Sequence, residues 1–203
     1  MSADLIPADV LIGTPPPAPP VRPRVLLIGT VLSLSAGVLG FAALLAIYIQ
    51  ARADTLAQGQ TWLPKDVDIP LTPGTMGLIT LGLSAVIVQW AVYSISNDDR
   101  RHAYLALGLG VLMGAAYING MAFYYSQMHI TIHEPVGLLI FAITGAHIAM
   151  TLGGILFMGL VAFRTFGGQY SGRDREGLVA MSIYWYVTVA LYAVIWFTIF
   201  VKK

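Results

Sequence analysis

The sequence predicts an all-α, polytopic membrane protein built as a five-transmembrane-helix bundle. Three observations predict it. Five long apolar segments alternate with short polar stretches, none of the five contains an Asp, Glu, Lys or Arg, and the 203 residues are 57% hydrophobic but only 10% charged. Mean hydropathy is +0.76, far above that of soluble domains. A helix needs about 20 apolar residues to cross a hydrocarbon core of roughly 30 Å. The apolar segments are far longer than barrel strands, so helices satisfy the backbone here.

The elements follow in order. Residues 1–24 hold Asp4, Asp9 and the run Pro15-Pro16-Pro17-Ala18-Pro19-Pro20, which reads as an extended, solvated, cytoplasmic arm rather than a signal peptide. A plain tether is one role for it and a ligand for a Pro-recognising partner is the alternative. Spans are expected near residues 25–50, 74–95, 103–125, 135–163 and 178–201, which makes residues 25–203 one membrane domain with no separate soluble one. Arg22, Arg24, Arg100, Arg101, Arg164, Arg173 and Arg175 fall on one side of this topology, and Arg52, Lys65, Lys202 and Lys203 on the other. The positive-inside rule then puts the N-terminus in the cytoplasm and the C-terminus outside.

Composition excludes several function classes. A net charge of +1 gives no attraction to nucleic acid. Zero cysteines exclude disulfides, thiolate zinc sites and iron–sulfur clusters. All ten acidic residues lie outside the spans, whereas proton pumps and transporters carry ionisable groups at membrane depth. The chain has no inverted repeat, no Ser-His-Asp or Cys-His arrangement and no phosphate-cradling glycine loop. No catalytic residue is expected.

Within the spans, small residues recur at helical spacing. Gly29, Ser33 and Gly37 fall four apart on the first helix with Gly40 nearby, Gly110 and Gly114 form a GxxxG on the third, and Gly153-Gly154 interrupts the fourth. Such residues let helix backbones approach closely, within the bundle or against a partner; a lipid or gas passage along the same grooves is the sharper alternative. His147 is the one histidine well inside a span, joined by Asn119 and Gln89 as hydrogen-bonding groups. A buried polar side chain in a bilayer is usually paired with a backbone carbonyl or a neighbouring helix. Met150, three residues on, shares a face with His147, but a haem held by two histidines needs a second one inside the membrane. Any redox centre is therefore expected in another subunit, and no metal on this chain. His129, His133 and Glu134 precede the fourth span and read as a solvated or partner-facing loop; a helical turn would instead bring the histidines together for a divalent metal.

Several stretches carry a resemblance. The first span ends Tyr48-Ile-Gln-Ala-Arg52, and the second holds Ser84 with Gln89-Trp90-Ala91. The third has Gly120 before Phe123-Tyr124-Tyr125, the fourth Thr144-Gly145-Ala146-His147 and then Gly153-Gly154, and the fifth Tyr184-Trp185. In this order they resemble subunit III of haem–copper oxidases (cytochrome c and quinol oxidases) in its five-helix bacterial form, from about residue 25 to the C-terminus. The polar positions of that family depart together. Gly37 and Tyr124 stand where it has glutamates, Met150 and Tyr186 where it has histidines, and Thr188-Val189 near its aspartate. The resemblance therefore implies roles resting on packing and lipid. It implies a non-catalytic subunit of a respiratory terminal oxidase in a bacterial plasma membrane, bound to subunits I and II, with or without a small further one. Subunit I would hold haem and copper, while this chain stabilises it and retains phospholipid. Arg52, His147, Tyr184 and Trp185 are the residues expected to contact lipid or partner. An accessory subunit of a nitric oxide reductase, or a stand-alone transporter or assembly factor on the same frame, are the alternatives.

Overall fold

The computed structural model describes residues 24–64, 67, 69–128 and 130–202. The Pro-rich arm, Arg22, Lys65, His129 and Lys203 lie outside the described residues. Five helices carry the chain back and forth: α1 (Val25–Ala57), α2 (Leu71–Ser96), α3 (Arg100–Gln127), α4 (Pro135–Phe166) and α5 (Glu176–Ile195), the last continuing as a π-helical segment, Trp196–Val201. All five are long and apolar enough to cross a membrane.

Most helices outrun their apolar stretches, and local chemistry accounts for the ends. At 33 residues, α1 is about 50 Å long, well beyond the hydrocarbon. Its outer turns persist because the Gln50 amide donates to Asp54 (2.8 Å) and Thr55 Oγ1 donates to the Ala51 carbonyl (2.8 Å), so polar residues support the helix once lipid no longer does. Gly59 with φ +72° then turns the chain. The start of α3 is capped by Asp99, which accepts from the His102 backbone N–H (3.2 Å) and meets its ring nitrogen with the other oxygen. Pro135 opens α4 at the first helical position, where its missing N–H removes nothing.

The bundle is a membrane interior turned to polar use. Large apolar side chains point outward on every helix, among them Leu39, Val86, Leu112, Leu156 and Phe163. Ser84, Thr144, His147, Thr151, Thr165 and Thr188 are buried inside, each hydrogen-bonded. Helices α2 and α3 form the most extensive pair, α5 packs against α1, α2 and α4, and α1 lies on the outside against α5 and α4.

The glycines divide sharply. A Cβ at Gly110 would meet Met158 at 2.6 Å; at Gly114 it would meet Ile155 and Trp185 within 2.9 Å; at Gly154 it would meet the Trp185 ring at 2.8 Å. These are close helix approaches: a side chain at Gly114 or Gly154 would have to displace the Trp185 ring, and one at Gly110 the flexible end of Met158. Gly153 leaves only 3.0 Å to the Tyr184 hydroxyl. Gly29, Gly37 and Gly40, at the same kind of spacing, have nothing within 4 Å, and Ser33 is exposed beside them. Among the described residues none comes close to these three glycines.

The two short loops at the arginine-rich end pin each other. Asp98, in the left-handed region at φ 57°, accepts from the Gly172 N–H (2.8 Å). Gly172 suits this tight approach, since a Cβ there would come within 3.0 Å of the Ser96 carbonyl. Glu176, in the first turn of α5, reaches across to accept the Leu27 N–H of α1 (3.0 Å), satisfying an otherwise orphaned helix-start donor.

Candidate functional site

The polar centre of the bundle is His147 on α4, fully buried. Its Nε2 lies 2.9 Å from the Thr188 carbonyl of α5. A carbonyl only accepts, so Nε2 carries the hydrogen. Its Nδ1 then accepts from the Tyr117 hydroxyl of α3 at 2.8 Å. Thr151, one turn along, donates to the His147 carbonyl at 2.9 Å. Three aromatic rings close the cage: Phe41 of α1 at 6.2 Å, Tyr117 at 5.5 Å and Tyr192 of α5 at 5.2 Å between centroids. The Tyr192 hydroxyl goes on to donate to the Gly74 carbonyl of α2 (3.1 Å). One histidine and its neighbours thus touch all five helices. Both ring nitrogens are engaged, so this imidazole offers no lone pair to a metal.

A second link runs through Trp185. Its indole N–H donates to Ser84 Oγ of α2 at 2.8 Å, and that hydroxyl donates to the Leu81 carbonyl at 2.6 Å. The ring sits in the notch left by Gly114 and Gly154. His147 and Trp185 are therefore buried within this chain, at positions where the sequence reading expected contact with lipid or partner. The physical reason is depth: Trp185 lies nine residues into α5, about 14 Å from its start, well below the headgroups. Tyr184, beside it, is half-buried and donates to the Met150 carbonyl at 2.9 Å. Arg52 is half-buried on the outer extension of α1, one turn past Tyr48, whose hydroxyl accepts the Trp62 N–H at 3.2 Å.

The remaining sequence candidates separate. Gln89 faces outward and accepts from the Tyr186 hydroxyl at 2.6 Å. Asn119 also faces outward. His133 is exposed and Glu134 immediately precedes α4. Among the described residues no group of three or more His, Asp or Glu side chains is placed to hold a metal ion. Tyr124 is fully buried, and its hydroxyl has no hydrogen-bond partner among the described residues. Sequence reading missed Tyr117 and Tyr192, the residues that complete the cage. Their signal is an aromatic hydroxyl inside an apolar span, since a buried phenol finds a partner.

Hollows mark the surface of the described residues. A groove of about 520 Å³ runs between α2 and α3. An apolar groove of about 430 Å³ lies between α1 and α5, lined by Val31, Leu34, Val38, Ile183 and Val187. At the arginine-rich end of the same α1–α5 seam, a polar hollow of about 620 Å³ is lined by Arg24, Arg173, Arg175, Asp174 and Glu176.

Comparison with known proteins agrees with this architecture. Residues 19–202 match the family model described as cytochrome c oxidase subunit III. Cytochrome c oxidase subunit 3 of Corynebacterium diphtheriae is 26% identical over 183 residues, covering 88% of this chain and 89% of that one. The probable cytochrome c oxidase subunit 3 of Nocardia farcinica is 27% identical over 191 residues, covering 87% and 89%, and the subunit 3 of Xenopus laevis is 29% identical over 189 residues, covering 91% and 70%. With the match running through all five spans, this multi-pass membrane protein belongs to the cytochrome c oxidase subunit III family.

Proposed function

We propose that the chain is a non-catalytic subunit of a respiratory haem–copper terminal oxidase, which stabilises the catalytic subunit and holds phospholipid beside it. The family match over residues 19–202 carries this reading. Haem and copper belong to the catalytic subunit I, and electron transfer and O2 reduction take place in subunits I and II. The setting is a bacterial plasma membrane, with the arginine-rich end of the bundle and the Pro-rich arm on the cytoplasmic side, and residues 25–203 acting as one membrane domain.

The geometry supports a scaffold role. A cage that joins five helices through His147 makes a stiff body, and its polar groups are spent on one another. Work at the surface is left to shape and charge. The seam between α1 and α5 suits a phospholipid: arginines at one end match a phosphate, and the apolar groove continues along the same helix faces, with Leu27, Val31, Leu34 and Val38 on one side and Val179, Ile183 and Val187 on the other. A cationic rim at headgroup depth attracts anionic lipid. Arg52, half-buried on the extension of α1, suits a headgroup, and Tyr184, half-buried at membrane depth, suits an acyl chain or a partner.

The test is affinity purification of the tagged chain in mild detergent, with a reduced-minus-oxidised visible spectrum, mass spectrometry and lipid extraction on the eluate. Haem bands with a large polytopic partner and retained phospholipid are expected. A colourless eluate, from membranes that contain the oxidase, would overturn the subunit reading and favour a stand-alone protein; a nitric oxide reductase as the captured partner would correct the complex.

A further inference from the structure

The groove between α2 and α3 has a composition that lipid does not explain. Its α3 wall presents Ala116, Asn119, Gly120 and Phe123 along one helical stripe, and its α2 wall presents Met76 and Thr80. Met76 is 65% exposed and Phe123 56% exposed, so they form raised apolar rims. The floor is low because a Cβ at Gly120 would have nothing within 4 Å and Ala116 adds only a methyl. Farther along α3, Leu112 is 65% exposed and Gly108 has nothing within 4 Å, which extends the same face inward.

Asn119 sits on this face with its amide outward. It lies eight residues before the end of the 28-residue α3, about 12 Å along the axis. A helix of that length overhangs a 30 Å core by roughly 6 Å at each end, which puts Asn119 inside the hydrocarbon. The amide makes no hydrogen bond to another described residue, in contrast to Gln89, which Tyr186 satisfies. The Thr80 hydroxyl across the groove donates to the Met76 carbonyl at 2.8 Å and makes no bond to the Asn119 amide. An amide facing acyl chains has no partner there, and its desolvation is unfavourable.

We infer that the α2–α3 groove is the docking surface for a transmembrane helix of another subunit, one that brings a hydrogen-bonding side chain opposite Asn119. Small residues on the floor allow close backbone approach, the rims supply dispersion contact, and the amide fixes register. This is the pattern by which helices associate where lipid gives no hydrophobic drive. An acyl chain would fill the groove but leave the amide unpaired. The inference rests on the subunit reading and names the surface through which it operates.

The test places a photo-reactive residue at position 116 of the tagged chain, with a control at Leu156 on α4, and irradiates the isolated complex. A crosslink from position 116 to a membrane-spanning peptide of another subunit is expected. Complex recovered intact, with lipid adducts only from position 116, would overturn the inference and leave the subunit reading standing; no complex at all would overturn both. A crosslink to a second copy of this chain would also overturn it. In parallel, Asn119→Leu should reduce partner retention roughly threefold to tenfold, with Asn119→Gln recovering part of it. Because Asn119 is exposed in the isolated chain, neither variant should alter its folding. Retention unchanged in Asn119→Leu would remove the hydrogen bond from the proposal.

Discussion

The hydrogen bond between Tyr117 and His147 can be measured by a double-mutant cycle, since each partner has a shape-conserving replacement. Tyr117→Phe removes the donor and leaves Nδ1 without its 2.8 Å partner. Thr151 Oγ1, 3.5 Å from Nδ1, can turn toward it at the expense of its bond to the His147 carbonyl. A cost of about 1 kcal/mol is expected. His147→Leu fills most of the volume but removes the bonds to both Tyr117 and Thr188, leaving the buried phenol unpaired; about 2–3 kcal/mol is expected. His147→Ala adds a cavity among Phe41, Tyr117 and Tyr192, bringing the loss to about 4 kcal/mol. The double variant Tyr117→Phe/His147→Leu should be more stable than the sum of the singles implies, by a coupling of about 0.6–1.7 kcal/mol. Reversible unfolding in mixed micelles of increasing SDS content, followed by tryptophan fluorescence, gives all four values. Additivity within error would refute a direct bond between these residues. In the assembled complex His147→Ala should weaken association with the catalytic subunit and leave the haem bands where they were.

Two further outcomes follow from the same geometry. Gly114→Leu should destabilise the chain by about 1–3 kcal/mol, because the new side chain meets Ile155 and Trp185 within 2.9 Å, whereas Gly120→Ala and Gly37→Ala should leave the isolated chain's unfolding midpoint unchanged; an equal loss at all three would contradict the division into packed and outward-facing glycines. Asp99 is held below the ordinary carboxylate value of 3.8 by the His102 backbone N–H, then by the His102 side chain. Its folded value being the lower one, the charged cap contributes fully above about pH 4 and is lost as pH falls through the folded value. An NMR titration should place the Asp99 carboxyl below 3.8, moving upward in His102→Ala.

Hydropathy made the five helices legible because a bilayer demands one simple thing of each segment, a continuous apolar surface with every backbone group paired. The ends were less legible. The outer extension of α1 is held by Gln50–Asp54 and Thr55–Ala51 bonds in a polar stretch, where apolarity carries no signal. Side chains were harder still. Gly110 with Gly114, and Gly29 with Ser33 and Gly37, share a four-residue spacing, yet among the described residues only the first pair of glycines meets neighbouring helices; spacing places residues on a stripe without saying which way it turns. His147 stood out as the lone intramembrane histidine, but its partners come from two helices distant in sequence. Trp185 looked interfacial because aromatic residues often anchor span ends, and its burial follows from two glycines on other helices that no local pattern connects to it.

The interior and the surface of this chain should therefore fail in different ways, and the difference is informative about function. His147, Tyr117, Trp185 and Tyr192 link helices to one another, so their loss lowers the stability of the isolated chain and reaches the complex only through that loss. Arg52, Asn119 and the Arg24, Arg173 and Arg175 cluster are at least partly exposed. Changing Asn119 or the arginine cluster should leave the isolated chain's unfolding intact while altering what remains bound to it. In a transporter the polar groups at membrane depth would serve a passing substrate, and their replacement would change flux at constant stability. Here most polar groups at depth are bonded to backbone carbonyls or to one another, while Asn119 points outward, a distribution that fits the proposed role of a subunit held by its neighbours in the bilayer.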